Sequence, residues 1–189
     1  MPPDPTDPCR PHRLMARQNA LANRALAAAC AQLGPGEWEA PRTGFFPSLQ
    51  ATLNHLFTVD HFYLDALHGG TKGFAFRATP IPLPDLADLT AAQGDLDRQL
   101  VAFCDGLRPV DLTRIVEVHR ATGIQAEPLP ELLVHIALHA VHHRGQAHAM
   151  LSGTTVAPPQ LDEFICRGEG AERASHMAAL GWSEAYLAS

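Results

Sequence analysis

The sequence predicts an all-α, bundle-like domain. Four long segments have the composition and the end signals of helices, and the segments between them are rich in Pro and Gly. Strand-like patterning is confined to one short stretch. The chain has 189 residues, of which 46% are apolar and 18% are charged. It is therefore long enough to bury one core, and its composition is that of a soluble domain.

Each long helix is predicted from signals at its ends. The first is rich in Ala, Leu and Arg and stops at a Gly-Pro-Gly sequence. Ser48 can cap the second helix, which ends at Gly69 and Gly70. Pro128 and Pro130 begin the fourth helix, where a missing N–H group does no harm. The four predicted helices cover residues 10–33, 48–70, 85–107 and 128–151.

The connections are predicted from prolines and β-branched residues. Residues 71–84 contain too many prolines for a helix and are expected to form a long surface loop. β-Branched residues on both sides of a turn at 121–123 predict a short hairpin before the fourth helix. The tail, residues 157–189, is expected to add one or two short helices. We divide the chain into a flexible Pro-rich lead-in (1–9), a helical domain (10–165) and a C-terminal extension packed on the same domain (166–189).

Charge and composition exclude several classes of protein. The net charge is −6 and no basic stripe exists to neutralise phosphates, so we expect no nucleic-acid partner. No stretch of about 18 apolar residues is present and the N-terminus lacks the apolar region of a secretory signal, so we expect no membrane partner. The four cysteines are scattered without a C-x-x-C pair. This pattern favours reduced thiols, a cytoplasmic location and no cysteine-type zinc site.

The fourth predicted helix contains an unusual number of histidines. Five of the 11 histidines of the chain lie in its sequence LVHIALHAVHHRGQAHAML. At about 100° per residue, four of them share one face and the fifth lies on the far side. The four are His135, His139, His142 and His143, and the fifth is His148. Residues four apart are neighbours on a helix, so either His135 with His139 or His139 with His143 can form a pair of metal ligands.

A third ligand has to come from another helix, because two imidazoles make a weak site. On the second helix, His55 shares its face with apolar residues and is expected to point inwards, whereas His61 and His68 lie on a more polar side. We therefore propose a three-histidine site of His55, His139 and His143. The spacing alone also fits a hydrogen-bonded core histidine at position 55 and a solvated, metal-free H-x-x-x-H pair.

Several motifs resemble the DinB/YfiT-like (damage-inducible DinB) superfamily of metalloenzymes, in the order in which they occur. HAVHHRGQ resembles the family signature, and MARQNALANRAL resembles the first helix with its paired asparagines. FPSLQATLNHLFTVDHFYLDAL resembles the second helix, and PPQLDEF the stretch after the signature. The resemblance covers residues 10–165. It implies an antiparallel four-helix bundle, a homodimer and a divalent transition metal, zinc or nickel, held by three histidines.

Carried onto this sequence, the resemblance assigns the metal ligands to His55, His139 and His143. His142 would be a neighbour of the ligands and not a ligand itself. Gln146 lies on the ligand face and would hydrogen-bond an imidazole or a bound water.

The motif supplies no general base. Position 140 is Ala, so the adjacent glutamate of H-E-x-x-H proteins is missing. Asp60, Asp65 and His142 are the candidates for a base elsewhere. Arg144 lies off the ligand face, at about 180°. We expect it first to form an ion pair or to contact another helix, and only second to bind a substrate anion.

Three imidazoles leave at least one coordination position open to water or substrate, as in catalytic zinc sites. An ion held by neutral ligands keeps its double positive charge and favours an anionic ligand. The resemblance implies thiol-dependent transfer, hydrolysis or isomerisation of a small molecule, with low-molecular-weight thiols as one substrate class. The alternatives are a structural or stress- and metal-sensing bundle, and a metal-free helical interaction protein.

Overall fold

The computed structural model describes residues 4, 6–162, 164 and 166–189. Seven helices and one two-stranded hairpin form this part of the chain. They are α1 (Arg10–Cys30), α2 (Leu49–Leu67), α3 (Gly73–Phe76), α4 (Leu86–Asp105), β1 (Ile115–Arg120), β2 (Gly123–Pro128), α5 (Leu129–Leu151), α6 (Gly170–Leu180) and α7 (Glu184–Ala188). The prediction of a mostly helical chain is confirmed. None of the described helices has an apolar stretch long enough to cross a membrane.

The long helices lie close to their predicted positions because the capping signals operate as expected. The Ser48 hydroxyl accepts the backbone N–H of Ala51 at 3.1 Å and so begins α2. The Asp85 carboxylate begins α4 in the same way, through the N–H groups of Ala87 and Asp88. Each cap satisfies N–H groups that have no partner within the helix.

The four long helices pack around a shared apolar core. α1 contacts α4 and α5, and α2 contacts α5 and α4. Small buried side chains, such as Ala16 and Ala20 of α1 and Ala140 of α5, let the helix backbones approach closely. Larger ones, such as Phe62 and Leu129, fill the space between the helices. The contact between α2 and α5 brings the two histidine-bearing helices together.

Polar side chains from all four long helices meet inside this core, in a group that we call the Arg144 cluster. Its members are Asn19 and Asn23 of α1, Asp60 of α2, Gln93 and Asp97 of α4, and Arg144 of α5. Arg144 is 4% exposed and donates to the side-chain oxygens of both asparagines. The asparagine amides donate in turn to Asp97. Arg144 therefore joins α5 to α1, as its first interpretation predicted, and is too deeply buried to bind substrate.

The predicted hairpin is confirmed. β1 and β2 pair in antiparallel register, from Ile115 opposite Pro128 to Arg120 opposite Gly123. Gly123 has a φ of +123°, which residues with a side chain rarely adopt, so glycine suits the position after the turn. The hairpin packs against α2 through β1.

The prediction of an unbroken loop between α2 and α4 is wrong, because the segment contains the helical turn α3. The Asp65 carboxylate reaches over from α2 and accepts the N–H groups of Lys72 and Gly73, which begins this turn. The prolines of the segment all follow α3 and do not interrupt it. Beyond α3, the buried Asn54 side chain binds both backbone groups of Leu83 and holds the loop against α2.

The two C-terminal helices pack on α1, in line with the one or two short helices predicted there. Arg17 of α1 donates to the backbone carbonyl of Tyr186 at 2.7 Å and pairs with Asp105 of α4 at 2.7 Å. At the other end of the chain, Cys9 of the predicted flexible lead-in is fully buried. Residues 1–3 and 5 of that lead-in, and residues 163 and 165 at the predicted domain end, lie outside the described residues.

Candidate metal centre

Three histidines from two helices converge on one point. His55 on α2 meets His139 and His143 on α5, and one ring nitrogen of each lies within 4.8 Å of the other two. The Nε2 atoms of His55 and His139 are 3.2 Å apart. The ring centroid of His143 lies 4.6 Å from that of His55 and 4.3 Å from that of His139. The three histidines proposed from the sequence therefore come together in space.

Helix geometry and packing explain this convergence. His139 and His143 are one turn apart on α5 and project from the same face. The face of α2 that carries His55 also buries Phe62, and α2 packs against α5. His135 is exposed and does not join the group. The structure thus decides between the two pairs that the spacing left open.

All three imidazoles are neutral at pH 7. Burial lowers the pKa of His139 to about 3 and that of His55 to about 4, and positive charge on neighbouring imidazoles acts in the same direction. Burial also lowers the pKa of His143, although its hydrogen bond to Gln146 acts in the opposite direction. A neutral imidazole keeps the lone pair that binds a metal ion, so at neutral pH an ion displaces few protons here.

Gln146 fixes the orientation of one of the rings. Its side-chain oxygen lies 2.8 Å from Nδ1 of His143. An amide oxygen only accepts hydrogen bonds, so Nδ1 carries the proton and Nε2 keeps the free lone pair. The amide nitrogen of Gln146 donates to Nε2 of the exposed His142 at 3.0 Å. Both residues lie beside a proposed ligand, His142 as the resemblance implied and Gln146 as its position on the ligand face predicted.

The donor set fits a divalent transition metal ion. Two nitrogens bound to one tetrahedral ion at about 2.0 Å are about 3.3 Å apart. The Nε2 atoms of His55 and His139 are 3.2 Å apart. No carboxylate joins the three histidines in the part of the chain that the structure describes, so the ligands are neutral. Nδ1 of His139 is buried and has no hydrogen-bond partner among the described residues, so packing holds this ring in place.

An aromatic side chain that the sequence analysis missed forms one wall of the centre. The ring centroid of Phe46, in the loop before α2, lies 4.4 Å from that of His55 and 5.6 Å from that of His143. The N–H of Arg42 donates to the carbonyl of Pro47 at 2.8 Å and closes this loop. The apolar ring thus covers part of two of the three histidines. No local sequence signal marks Phe46, because its contacts are made across a loop.

Two of the candidate bases lie elsewhere in the fold. Asp60 projects about 140° away from His55 around α2. It belongs to the Arg144 cluster, where it accepts from Gln93 at 2.9 Å. Asp65 is occupied by the N–H groups that begin α3. The structure thus places Asp60 in the helical core and Asp65 at a helix end, and only His142 of the three candidates lies beside a proposed ligand.

Comparison with known proteins agrees with this geometry. The sequence profile of the DinB family matches residues 6–169, which is most of the chain and includes the three histidines. No curated protein matches the chain. The resemblance found in the sequence motifs is therefore confirmed, and the chain belongs to the DinB family.

Proposed function

We propose that this protein is a metal-dependent enzyme whose divalent ion is held by His55, His139 and His143. The observation that carries the proposal is the convergence of three neutral imidazoles from two helices, with two Nε2 atoms 3.2 Å apart. Zinc or nickel is the proposed ion, as the family implies, and both accept imidazole ligands.

The proposed chemistry uses a coordination position of the ion that no protein ligand occupies and that water or substrate can take. When bound, such an ion lowers the pKa of a coordinated water or thiol towards neutrality. The chain itself orients and shields the centre. Gln146 holds the His143 ring through Nδ1, and Phe46 covers one side of His55. The proposed reaction is thiol-dependent transfer or hydrolysis of a small molecule.

A structural or sensing role is the second candidate. Because His55 belongs to α2 and the other two histidines to α5, an ion would cross-link these helices. A structural zinc site, however, usually has four protein ligands. Among the described residues, no fourth His, Cys, Asp or Glu joins the three histidines. This observation favours the catalytic proposal.

We further propose that α1, α2, α4 and α5 form the antiparallel four-helix bundle of the family, and that two copies of the chain associate. Val134, Leu138 and Val141 lie on one face of α5 and are 40%, 64% and 60% exposed. Apolar side chains grouped in this way are typical of protein interfaces. We propose this face as the contact between the two copies.

Metal analysis of the purified protein tests the proposed function. We expect about one zinc or nickel ion per chain after reconstitution. His139→Ala is expected to lose the ion. His148→Ala, on the opposite side of the same helix, is the matched control and is expected to retain it. A wild-type protein that takes up no stoichiometric ion, or a His139→Ala variant that keeps it, contradicts the proposal.

Cobalt substitution separates a catalytic from a structural ion. A visible spectrum of the Co²⁺ protein that changes when 2-mercaptoethanol is added indicates a coordination position open to a small ligand, and supports an enzyme. A spectrum that does not respond to the thiol, together with a large loss of thermal stability on metal removal, supports the structural role.

A further inference from the structure

Two arginines lie over one aromatic ring, that of Phe62 on α2. The guanidinium carbon of Arg77 is 5.5 Å from the ring centroid of Phe62, and that of Arg120 is 5.2 Å from it. Phe62 lies on the face of α2 that carries His55, two turns further along. Both cations therefore stand on the side of α2 that faces the proposed metal site.

These two arginines have no acidic partner among the described residues. Neither takes part in an ion pair there, whereas Arg17 and Arg173 each pair with a carboxylate. The guanidinium of Arg77 also has no hydrogen-bond acceptor in this part of the chain. Arg120 donates only to neutral groups, the Gln125 side chain and the Tyr63 hydroxyl. No carboxylate of the described residues therefore neutralises the positive charge of Arg77 and Arg120, and both can pair with an anionic ligand.

A series of side-chain contacts links Arg120 to the metal centre. Arg120 donates to the Tyr63 hydroxyl at 3.0 Å, and the Tyr63 ring packs edge-on against His135 with centroids 5.1 Å apart. The His135 ring lies 6.2 Å from that of His139, a proposed ligand. Tyr63 and His135 therefore connect Arg120 to the His139 side of the centre, and Arg77 lies over the same Phe62 ring as Arg120.

The opposite side of the centre is apolar. Phe46 packs against His55 and His143. An ion with neutral ligands attracts one negative group of a substrate, and the arginines offer a place for a second.

We infer that Arg77 and Arg120 form a carboxylate-binding subsite that orients a small carboxylic-acid substrate towards the metal centre. This inference rests on the proposed function, because the ion has to receive the other end of the substrate. The planar guanidinium fork matches the two oxygens of a carboxylate. The Phe62 ring supports both guanidiniums by cation–π contact, and the Tyr63 hydroxyl orients Arg120.

A pair of matched thiols tests the subsite. 3-Mercaptopropionate and 2-mercaptoethanol both bind a metal through sulfur, but only the first carries a carboxylate. Titration of the Co²⁺ protein, followed by visible absorption, is expected to show that 3-mercaptopropionate binds about tenfold more tightly or better. Arg77→Gln and Arg120→Gln are each expected to reduce this preference, and the double variant to abolish it.

Arg98→Gln is the matched control, because Arg98 is an exposed arginine of α4 that pairs with Asp95. It is expected to leave the preference unchanged. Equal binding of the two thiols by wild type, failure of both to bind, or a preference that survives the double substitution overturns the inference.

Two further measurements separate the subsite from other effects. The cobalt content of each variant is expected to match wild type. A wild-type protein that binds no cobalt overturns the proposed function, whereas equal thiol affinities in a fully loaded protein overturn the subsite alone. Tyr63→Phe removes the hydroxyl that orients Arg120. It is expected to weaken 3-mercaptopropionate binding severalfold without changing that of 2-mercaptoethanol, and an unchanged preference contradicts the orienting role.

Discussion

The Nε2 atoms of His55 and His139 lie 3.2 Å apart across the contact between α2 and α5. When no ion is bound, one of the two nitrogens has to carry a proton for them to hydrogen-bond. When an ion is bound, both lone pairs point towards it. Burial lowers the pKa of both rings, so neither imidazole takes up a second proton at neutral pH. Protons therefore compete only weakly with a metal ion for these nitrogens.

Metal binding is expected to stabilise the fold. Zinc at about 1,000 times its Kd adds about 4 kcal/mol to the free energy of unfolding, or roughly 8–16 °C to Tm for a chain of this size. His55→Ala removes the ligand on α2 and is expected to abolish the rise. His68→Ala, an exposed histidine at the end of α2, is expected to keep it. Calorimetry with zinc and with chelator measures the effect, and an undiminished rise in His55→Ala would contradict the ligand assignment.

Gln146 is expected to tune the metal affinity without being a ligand. Gln146→Leu removes the acceptor of the His143 Nδ1 proton, so we expect metal affinity to fall about 10–100-fold. Gln146→Glu keeps an acceptor oxygen at this position and is expected to retain most of the affinity. Competition with a chromophoric chelator measures both variants. Equal affinities for Gln146→Leu and wild type would show that the hydrogen bond does not matter.

Arg144 is expected to be needed for stability. Arg144→Met removes the donor to the buried side-chain oxygens of Asn19 and Asn23, and each oxygen left without a partner costs about 1–3 kcal/mol of unfolding free energy. Arg98→Met, at an exposed arginine of α4, is expected to change stability by about 0.5 kcal/mol or less. Urea unfolding of both variants measures the difference. Similar effects for the two substitutions would refute a special role of the Arg144 cluster.

The same cluster is expected to make stability depend on pH. Burial, followed by the charge of Asp97, raises the pKa of Asp60 from 3.8 to about 7. A carboxyl with a raised pKa in the folded state contributes stability that is fully present below its unfolded pKa, and that is lost as the pH rises through its folded pKa. Asp60→Asn removes this titration, and its amide oxygen can still accept from Gln93.

The stability of wild type relative to Asp60→Asn is therefore expected to fall between about pH 4 and pH 7. Urea unfolding over this range measures it. Parallel pH profiles for the two proteins would mean that Asp60 does not titrate in this window.

The exposed face of α5 is expected to mediate self-association. Leu138→Glu places a charge in the middle of the apolar stripe and is expected to give a monomer, because a buried unpaired carboxylate is costly. Ile81→Glu, at an exposed apolar residue of the connection between α3 and α4, is the control and is expected to leave the assembly unchanged. Light scattering after size-exclusion chromatography measures the mass. A wild-type monomer, or an unaffected Leu138→Glu dimer, would rule out this contact.

Local sequence signals predicted most of the secondary structure, because helix caps and turns depend on neighbouring residues. Ser48 and Pro128 lie at the helix starts where the sequence put them, and Gly123 follows the turn of the predicted hairpin. The turn α3 was missed because a carboxylate of another helix, Asp65, begins it. That contact depends on the path of the chain and not on the sequence next to the turn.

By itself, the sequence determined which histidines share a face. The four-residue spacing of His139 and His143, the inward face that carries His55, and the family motifs together named the ligand set. Tertiary structure decided what those faces meet. Phe46 reaches the centre from a loop, and Arg77 and Arg120 meet at the Phe62 ring from a short connection and a hairpin. Helical periodicity encodes the direction of a side chain around its own axis, whereas packing between distant segments decides which other side chains it reaches.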